Sequence, residues 1–315
     1  MKSRGRILVT GGAGFIGSHL ARLALQKDYR VTILDNLSTG SERNIPEGSD
    51  FVAGDVSRER TWKRLRKERY DAVFHLAAQS SGEVSHSRPG WDLKANTLGT
   101  LHALHFARDF GARFLYSSSM AVYGEPDRVP VRETDPCRPL SFYGISKLCA
   151  EHYISYFSRK GLPTTVFRLF SVYGPGQNLA NLKQGIVSIY LAFLLEGRPV
   201  HVKGSPDRFR DLIYIDDVLK AWWKAFRSKA AIGEVLNLGT GRKTTVRELV
   251  EAEIKALGRK PGEVEVRYQG STPDDQFGLY ADIRRTVRVL SPWRPRVTLK
   301  AGLKKMIAWA QNEAR

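Results

Sequence analysis

Only two cysteines, Cys137 and Cys149, occur among the 315 residues, and neither has metal-ligand spacing. A single pair in a chain this size builds no disulfide framework, so reduced thiols and no metal site are expected. Long apolar runs are also missing. No stretch approaches the roughly 20 residues that cross a bilayer, and Met1 to Arg6 leads into the strand-like Ile7 to Val9 without a signal-peptide core. The expectation is a cytoplasmic protein with no membrane span. Acidic residues are scarce, 32 against 50 basic ones, leaving a net charge of +18. The excess gathers in Arg58 to Arg69 and Arg284 to Arg315. Both stretches read as amphipathic helix or helix flank, and no nucleic-acid-reading motif accompanies them. A solvated basic face follows, with no nucleic-acid partner expected; its field would also draw in a phosphate-bearing substrate. Internal repeats and low-complexity linkers are absent as well.

With 42% apolar residues the chain can bury a sizeable core. Short apolar runs at Arg6 to Thr10, Val31 to Leu34, Asp50 to Ala53, Ala72 to Leu76, Arg113 to Ser117 and Thr164 to Phe170 read as strands. Between them Phe15 to Gln26, Thr97 to Phe110 and Tyr143 to Ser158 show helical spacing. Such alternation predicts an α/β, Rossmann-type doubly wound parallel sheet over residues 1–175. Beyond Gly174 the punctuation changes. A helix over Ile186 to Leu195, short strands at Val200 to Val202, Leu212 to Ile215 and Val235 to Leu238, and a helix over Thr245 to Leu257 follow. Residues 176–315 are expected to form mainly a smaller, interleaved substrate lobe, with a segment near 206–240 returning to the sheet and a cleft between the two.

Gly11, Gly14 and Gly17 stand between the first strand and the first helix. Their missing side chains permit a tight turn, close approach of a pyrophosphate and helix packing on the sheet, with helix amides facing the phosphates. A plain strand-helix turn is the alternative, but Asp35 ends the next strand, where a carboxylate accepts ribose hydroxyls and repels a 2'-phosphate. NAD is therefore expected in preference to NADP. Asp55, at the end of the third strand, is placed to reach the adenine amino group, or to cap a surface turn.

Tyr143 and Lys147 are four residues apart and share a helix face. An ammonium beside a phenol favours the phenolate and moves the tyrosine toward general-base duty. Ser117, Ser118 and Ser119 sit at a strand's carboxyl end, where doubly wound folds place their ligand crevice. Glu83, Ser85 and His86 are expected in a loop along the cleft, whereas His19, His75, Trp222 and Trp223 read as packing residues.

Taken in order, Thr-Gly-Gly-Ala-Gly-Phe-Ile-Gly from Thr10, Gly-Asp-Val at 54–56, His-Leu-Ala-Ala-Gln at 75–79, Asn96, Ser-Ser-Ser-Met-Ala-Val-Tyr-Gly at 117–124, Tyr143 with Lys147, Arg-Leu-Phe-Ser-Val-Tyr-Gly-Pro-Gly-Gln at 168–177 and Arg-Asp-Leu-Ile-Tyr-Ile-Asp-Asp at 210–217 form a connected series. The series resembles the extended short-chain dehydrogenases/reductases, and within them the NAD-dependent nucleotide-sugar epimerases and dehydratases. It is strong over about residues 6–217 and weaker, in Asn-Leu-Gly-Thr-Gly at 237–241 and Tyr-Ala-Asp at 280–282, thereafter. The resemblance implies Ser119 as the substrate-orienting hydroxyl, Tyr143 as general base and Lys147 as the residue that tunes it and holds the cofactor ribose. It implies NAD against Gly11, Gly14, Phe15, Ile16, Gly17, Asp35, Asn36, Asp55, Val56, Leu76, Ala77, Ala78, Asn96, Ser117, Tyr143, Lys147, Phe170 and Val172. The nucleotide sugar, UDP-linked by resemblance, is implied against Ser81, Glu83, Ser119, Tyr143, Ser171, Gln184, Lys203, Arg210 and Asp275. Arg210 matches an arginine that contacts the nucleotide diphosphate; a surface pair with Asp207 or Asp211 is its alternative. A homodimer through the cofactor-domain helices is also implied.

Three departures qualify the match. Ser171 stands where many epimerases have asparagine. Thr272 to Asp275 stands where a second arginine is common, with Lys203 or Arg267 as possible substitutes. Met120 and Ala121 occupy the positions of the Asp-Glu acid pair with which dehydratases eliminate water. C4 epimerisation of a nucleotide-linked hexose is the leading expectation. Decarboxylation, reduction or dehydration after the same oxidation, or a non-catalytic NAD-binding regulator, are the alternatives.

Overall fold

Residues 3–270 and 276–313 are described by a computed structural model of the chain. Its first half alternates as the apolar runs require. Strands β1 (Arg6–Thr10), β2 (Arg30–Asp35), β3 (Asp50–Ala53), β4 (Ala72–His75), β5 (Arg113–Ser119) and β6 (Thr164–Leu169) are separated by helices. These are α1 (Phe15–Leu25), α2 (Glu59–Leu65), α3 (Gly82–Ser87), α4 (Pro89–Leu93), α5 (Gly99–Phe110) and α6 (Phe142–Arg159). β7 (Ser171–Tyr173), α7 (Ile186–Leu195), β8 (Val200–Lys203), β9 (Phe209–Arg210), β10 (Leu212–Tyr214), α8 (Ile215–Arg227) and β11 (Glu234–Leu238) follow. The chain continues with β12 (Thr244–Thr245), α9 (Val246–Ala256), β13 (Val266–Gln269), α10 (Arg284–Val289) and α11 (Leu299–Glu313).

Seven strands form one parallel sheet in the order β11-β6-β5-β4-β1-β2-β3. The chain starts in the middle and winds outward both ways, so the strand order reverses between β1 and β4. A crevice opens at that point above the carboxyl ends of the strands. Each face of the sheet is dry, because helices cover both. Ile7, Val9, Ile33, Phe74 and Trp222 are buried on one side, and Leu8, Leu34, Val73, Phe106 and Phe114 on the other. This is why the strands read as near-continuous apolar runs. β11 lies beyond Gly174 yet joins β6 as the outermost strand. The other C-terminal strands make three two-stranded pairs, β10 with β7, β12 with β9 and β13 with β8. They pack with α7, α9 and α11 around Tyr190, Leu191, Leu249 and Met306.

Several boundaries differ from the sequence reading for local reasons. β5 runs on to Ser119, carrying all three serines in the strand. The expected loop at 83–86 is helix α3, capped by the Ser81 side chain accepting from the Val84 amide. A π-turn at Lys94–Leu98 opens the helix expected from Thr97. In the basic stretch at 58–69, α2 buries Trp62 and Leu65 and turns its arginines and lysines outward. Among the described residues no helix is long and apolar enough to cross a membrane.

Candidate functional site

A cleft of about 810 Å³ runs from the turn after β1 across the ends of β4 and β5 to β8 and β9. Its floor at one end is glycine for steric reasons. Gly11 has φ +69°, and a Cβ there would lie 2.7 Å from the Ala77 amide nitrogen. A Cβ on Gly17 would collide with the Gly11 carbonyl, and one on Gly14 would come within 3.2 Å of it. No side chain caps the first amides of α1, which face this cradle. Asp35, at the end of β2, accepts from the Ala13 amide at 3.0 Å and the Leu37 amide at 2.8 Å. One lone pair on each of its oxygens is left for a ligand. The cradle and the carboxylate fit the pyrophosphate and adenosine ribose of NAD.

Two elements fix the Tyr143–Lys147 pair, α6 and the turn at 120–123. α6 begins at the Ser141 cap, whose hydroxyl accepts from the Gly144 amide at 3.1 Å. Gly144 lets the helix press on the 120–123 turn, since a Cβ there would be 2.5 Å from the Ala121 carbonyl. Tyr143 is thereby held in the first turn and Lys147 one turn on. Tyr143 is half-buried and opens on the cleft, as does Ser119, whose hydroxyl accepts from the Ala121 amide at 3.2 Å. Lys147 is 2% exposed, donates to the Ser117 carbonyl at 2.7 Å and lies 4.8 Å from the Tyr116 ring and 5.9 Å from the Tyr143 ring.

Electrostatically the pair is less simple than its spacing suggests. Burial pushes the Tyr143 phenol up to about 12, with the Ser119 hydrogen bond pulling it back and the Asp92 charge adding to the rise. Burial likewise brings Lys147 down to about 8, opposed by Asp92 and Glu151. The lowering of the phenol expected from the lysine does not appear: desolvation sets the direction, and Lys147 is not among the groups that move it.

Of the positions marked from sequence, Gly11, Gly14, Phe15, Ile16, Gly17, Asp35, Leu76, Ala77, Ala78, Ser81, Glu83, Ser117, Ser119, Tyr143, Lys147, Phe170, Ser171, Val172, Gln184, Lys203 and Arg210 line the cleft. Asn36, Asp55, Val56 and Asn96 are not among the residues that line it. Asn36 and Asp55 accept from the Ser38 and Ser57 amides, each two residues on. Val56 is buried against Gly99. Asn96 accepts from the Gln79 amide and donates to the Gln79 carbonyl, bracing the segment that forms the cofactor wall. Asp275 and the rest of Thr272 to Asp275 lie outside the described residues.

The far end of the cleft is basic. Arg210, 7% exposed, donates to the carbonyls of Phe209, Gln276 and Phe277. Asp211 does not serve as a surface partner for it. It accepts instead from the amides of Thr240, Gly241 and Ala281, pinning the 239–241 turn. Glu83 is shared by Lys203 at 3.3 Å and Lys183 at 3.6 Å, and Gln184 donates to the Ser80 hydroxyl at 2.8 Å. Arg267 pairs with Glu265 and does not line the cleft. Ser85 is buried and His86 exposed, so Glu83 is the member of that trio at the cleft. His75 bridges the hydroxyls of Thr10 and Thr100, His19 bonds the Pro175 carbonyl, and Trp222 is core, as their apolar settings predict.

Sequence reasoning missed Arg208, Tyr190, His201 and Gln276, all of which line the cleft. The alternation Arg208-Phe209-Arg210 carried a signal, because residues two apart share a strand face. The other three had none. A buried clamp was also missed: Arg168 grips the Glu151 carboxylate at 2.8 Å, and Glu151 accepts from the Ser118 hydroxyl.

The chain matches the NAD dependent epimerase/dehydratase family over residues 7–239. It is 34% identical to a UDP-glucose 4-epimerase of Mycolicibacterium smegmatis, covering 98% of this chain and 99% of that one. A UDP-glucuronic acid decarboxylase 1 of Xenopus tropicalis is 31% identical over 99% of this chain and 73% of its own. Among solved structures, a UDP-glucose 4-epimerase from Thermotoga maritima, crystallised with UDP-glucose, superposes with a TM-score of 0.94 at 36% identity, covering 98% of this chain and all of that one. The glycine cradle, the Asp35 carboxylate and the Ser119, Tyr143 and Lys147 group thus occur together in a chain that belongs to the NAD-dependent epimerase/dehydratase family.

Proposed function

We propose that the protein catalyses C4 epimerisation of a nucleotide-activated hexose, with a UDP-sugar as substrate, through a transient 4-keto sugar. The observation that carries this reading is the convergence of Ser119, Tyr143 and Lys147 on the cleft that also holds the glycine cradle. Tyr143 takes the C4 hydroxyl proton and later returns it, while Ser119 holds that hydroxyl in line. NAD held by the Gly11, Gly14 and Gly17 cradle and by Asp35 would supply a hydride acceptor and donor. Lys147 adds a positive charge and a donor for the cofactor ribose. Arg210, with Arg208 beside it, offers guanidinium donors suited to a diphosphate. Met120, which lines the cleft, and Ala121 offer no acid for eliminating water, which argues against dehydration.

The decarboxylase relative favours one second reading, loss of carbon dioxide after the same oxidation. Incubation with NAD and UDP-, dTDP-, GDP- and CDP-sugars, followed by chromatography and mass spectrometry, separates the two. A product of unchanged mass and new retention is expected; loss of 44 mass units, about one CO2, would replace epimerisation by decarboxylation, and no turnover would sink both. We further propose a homodimer formed through α5 and α6; α6 exposes Ile145, Tyr153 and Tyr156.

A further inference from the structure

Among the described residues near the cleft, two buried charged groups take part in no salt bridge. One is Lys147. The other is Asp92 on α4, 1% exposed, which accepts from the Gln79 side-chain amide at 3.0 Å and the Asn96 side-chain amide at 3.2 Å through one oxygen. Its second oxygen has no hydrogen-bond partner among the described residues. An isolated charge in a dry interior is costly, so two opposite ones near each other are each other's compensation. α4 packs on α6, and the Asn96 amide that donates to Asp92 also donates to the hydroxyl of Ser146, the residue before Lys147, at 3.0 Å. The nearby carboxylate of Glu151 is already neutralised by Arg168. Tyr116, Tyr143 and His75 are the other titratable groups around the lysine, and none is an anion at neutral pH in these surroundings.

We propose that Asp92 is a positioning residue that acts through Lys147, supplying from behind the cleft wall the counter-charge that keeps the lysine an ammonium. The idea rests on the reading of Tyr143 and Lys147 as the reacting pair, but its electrostatic content is independent of any substrate. Without that charge, Lys147 would shed its proton at lower pH, and the tyrosine would lose the cation beside its phenolate.

The direct test is a carbon-13 NMR titration of protein labelled at the lysine ε-carbons, with the Lys147 resonance identified by its disappearance in Lys147→Met. In Asp92→Asn the Lys147 midpoint is expected to fall by about one unit or more, and the alkaline limb of the turnover profile to move down with it. Gln79→Leu removes a hydrogen bond to Asp92 and keeps the charge, so the midpoint should stay. Asp92→Ser removes the same charge with a smaller polar side chain and gives the same reading if Asp92→Asn does not fold. An unchanged Lys147 midpoint in a folded charge-removing variant, or an equal shift in Gln79→Leu, would overturn the proposal. A shifted midpoint in a protein that turns over no nucleotide sugar would uphold it and sink only the epimerase reading.

Discussion

A phenol raised by burial cannot act as a base on the strength of one buried lysine, so Tyr143 needs the ordered site around it. Tyr143→Phe keeps the ring and removes the proton carrier; turnover is expected to fall by about 10²–10⁴-fold with NAD affinity nearly unchanged. Steady-state kinetics beside a cofactor titration checks this, and retained turnover would refute the general-base role. Gly11→Ala combines a left-handed φ with a Cβ pressed on the Ala77 amide. It is expected to abolish NAD binding and lower the melting temperature, both readable by thermal shift with and without NAD. Asp35→Ala should instead narrow the preference for NAD over NADP, because the repelling carboxylate is gone.

Elements were legible where a pattern repeats and obscure where a contact decides. Strands β1 to β6 announced themselves as short apolar runs because both faces of the sheet are dry. β13 did not: Val266 to Gln269 is largely exposed and becomes a strand by pairing with β8. Helix α3 was hidden because it is six residues long and held by one cap, too short for any periodicity. The site was legible at its glycines and at Tyr143 with Lys147, where spacing encodes geometry. It was not legible at Asp92, Glu151 or Arg168, whose roles come from distant segments meeting. The Arg168–Glu151 clamp ties β6 to α6 in a setting where both side chains are 7% exposed. Arg168→Met leaves a carboxylate buried and unpaired, and should cost about 3–5 kcal/mol in chemical denaturation. A loss below 1 kcal/mol, roughly the value of a surface pair, would show that the clamp is already solvated.

At the scale of the whole molecule, acid should act through His75. It is fully buried, and desolvation, with Lys147 nearby, takes it from 6.5 down to about 3. The unfolded chain therefore binds a proton below pH 6.5 that the folded chain refuses until about pH 3. Stability from this group is full above 6.5 and is lost as the pH falls through that window. About 2 kcal/mol should be gone at pH 5, and a His75→Gln variant should lose less stability between pH 7.5 and pH 5 than the parent. Equal losses in the two proteins would remove His75 from the account.

β11 is the last strand of the large sheet to be made, yet it seals the flank of β6. On the ribosome, everything needed for the glycine cradle and the Tyr143–Lys147 pair has emerged long before residue 234. Until β11 follows, β6 presents an open row of amides and carbonyls to any neighbouring nascent chain. Synthesis therefore passes through an interval when the cleft residues exist but their scaffold is sticky, and messages that stall within that interval should yield aggregates rather than a soluble, partly folded chain.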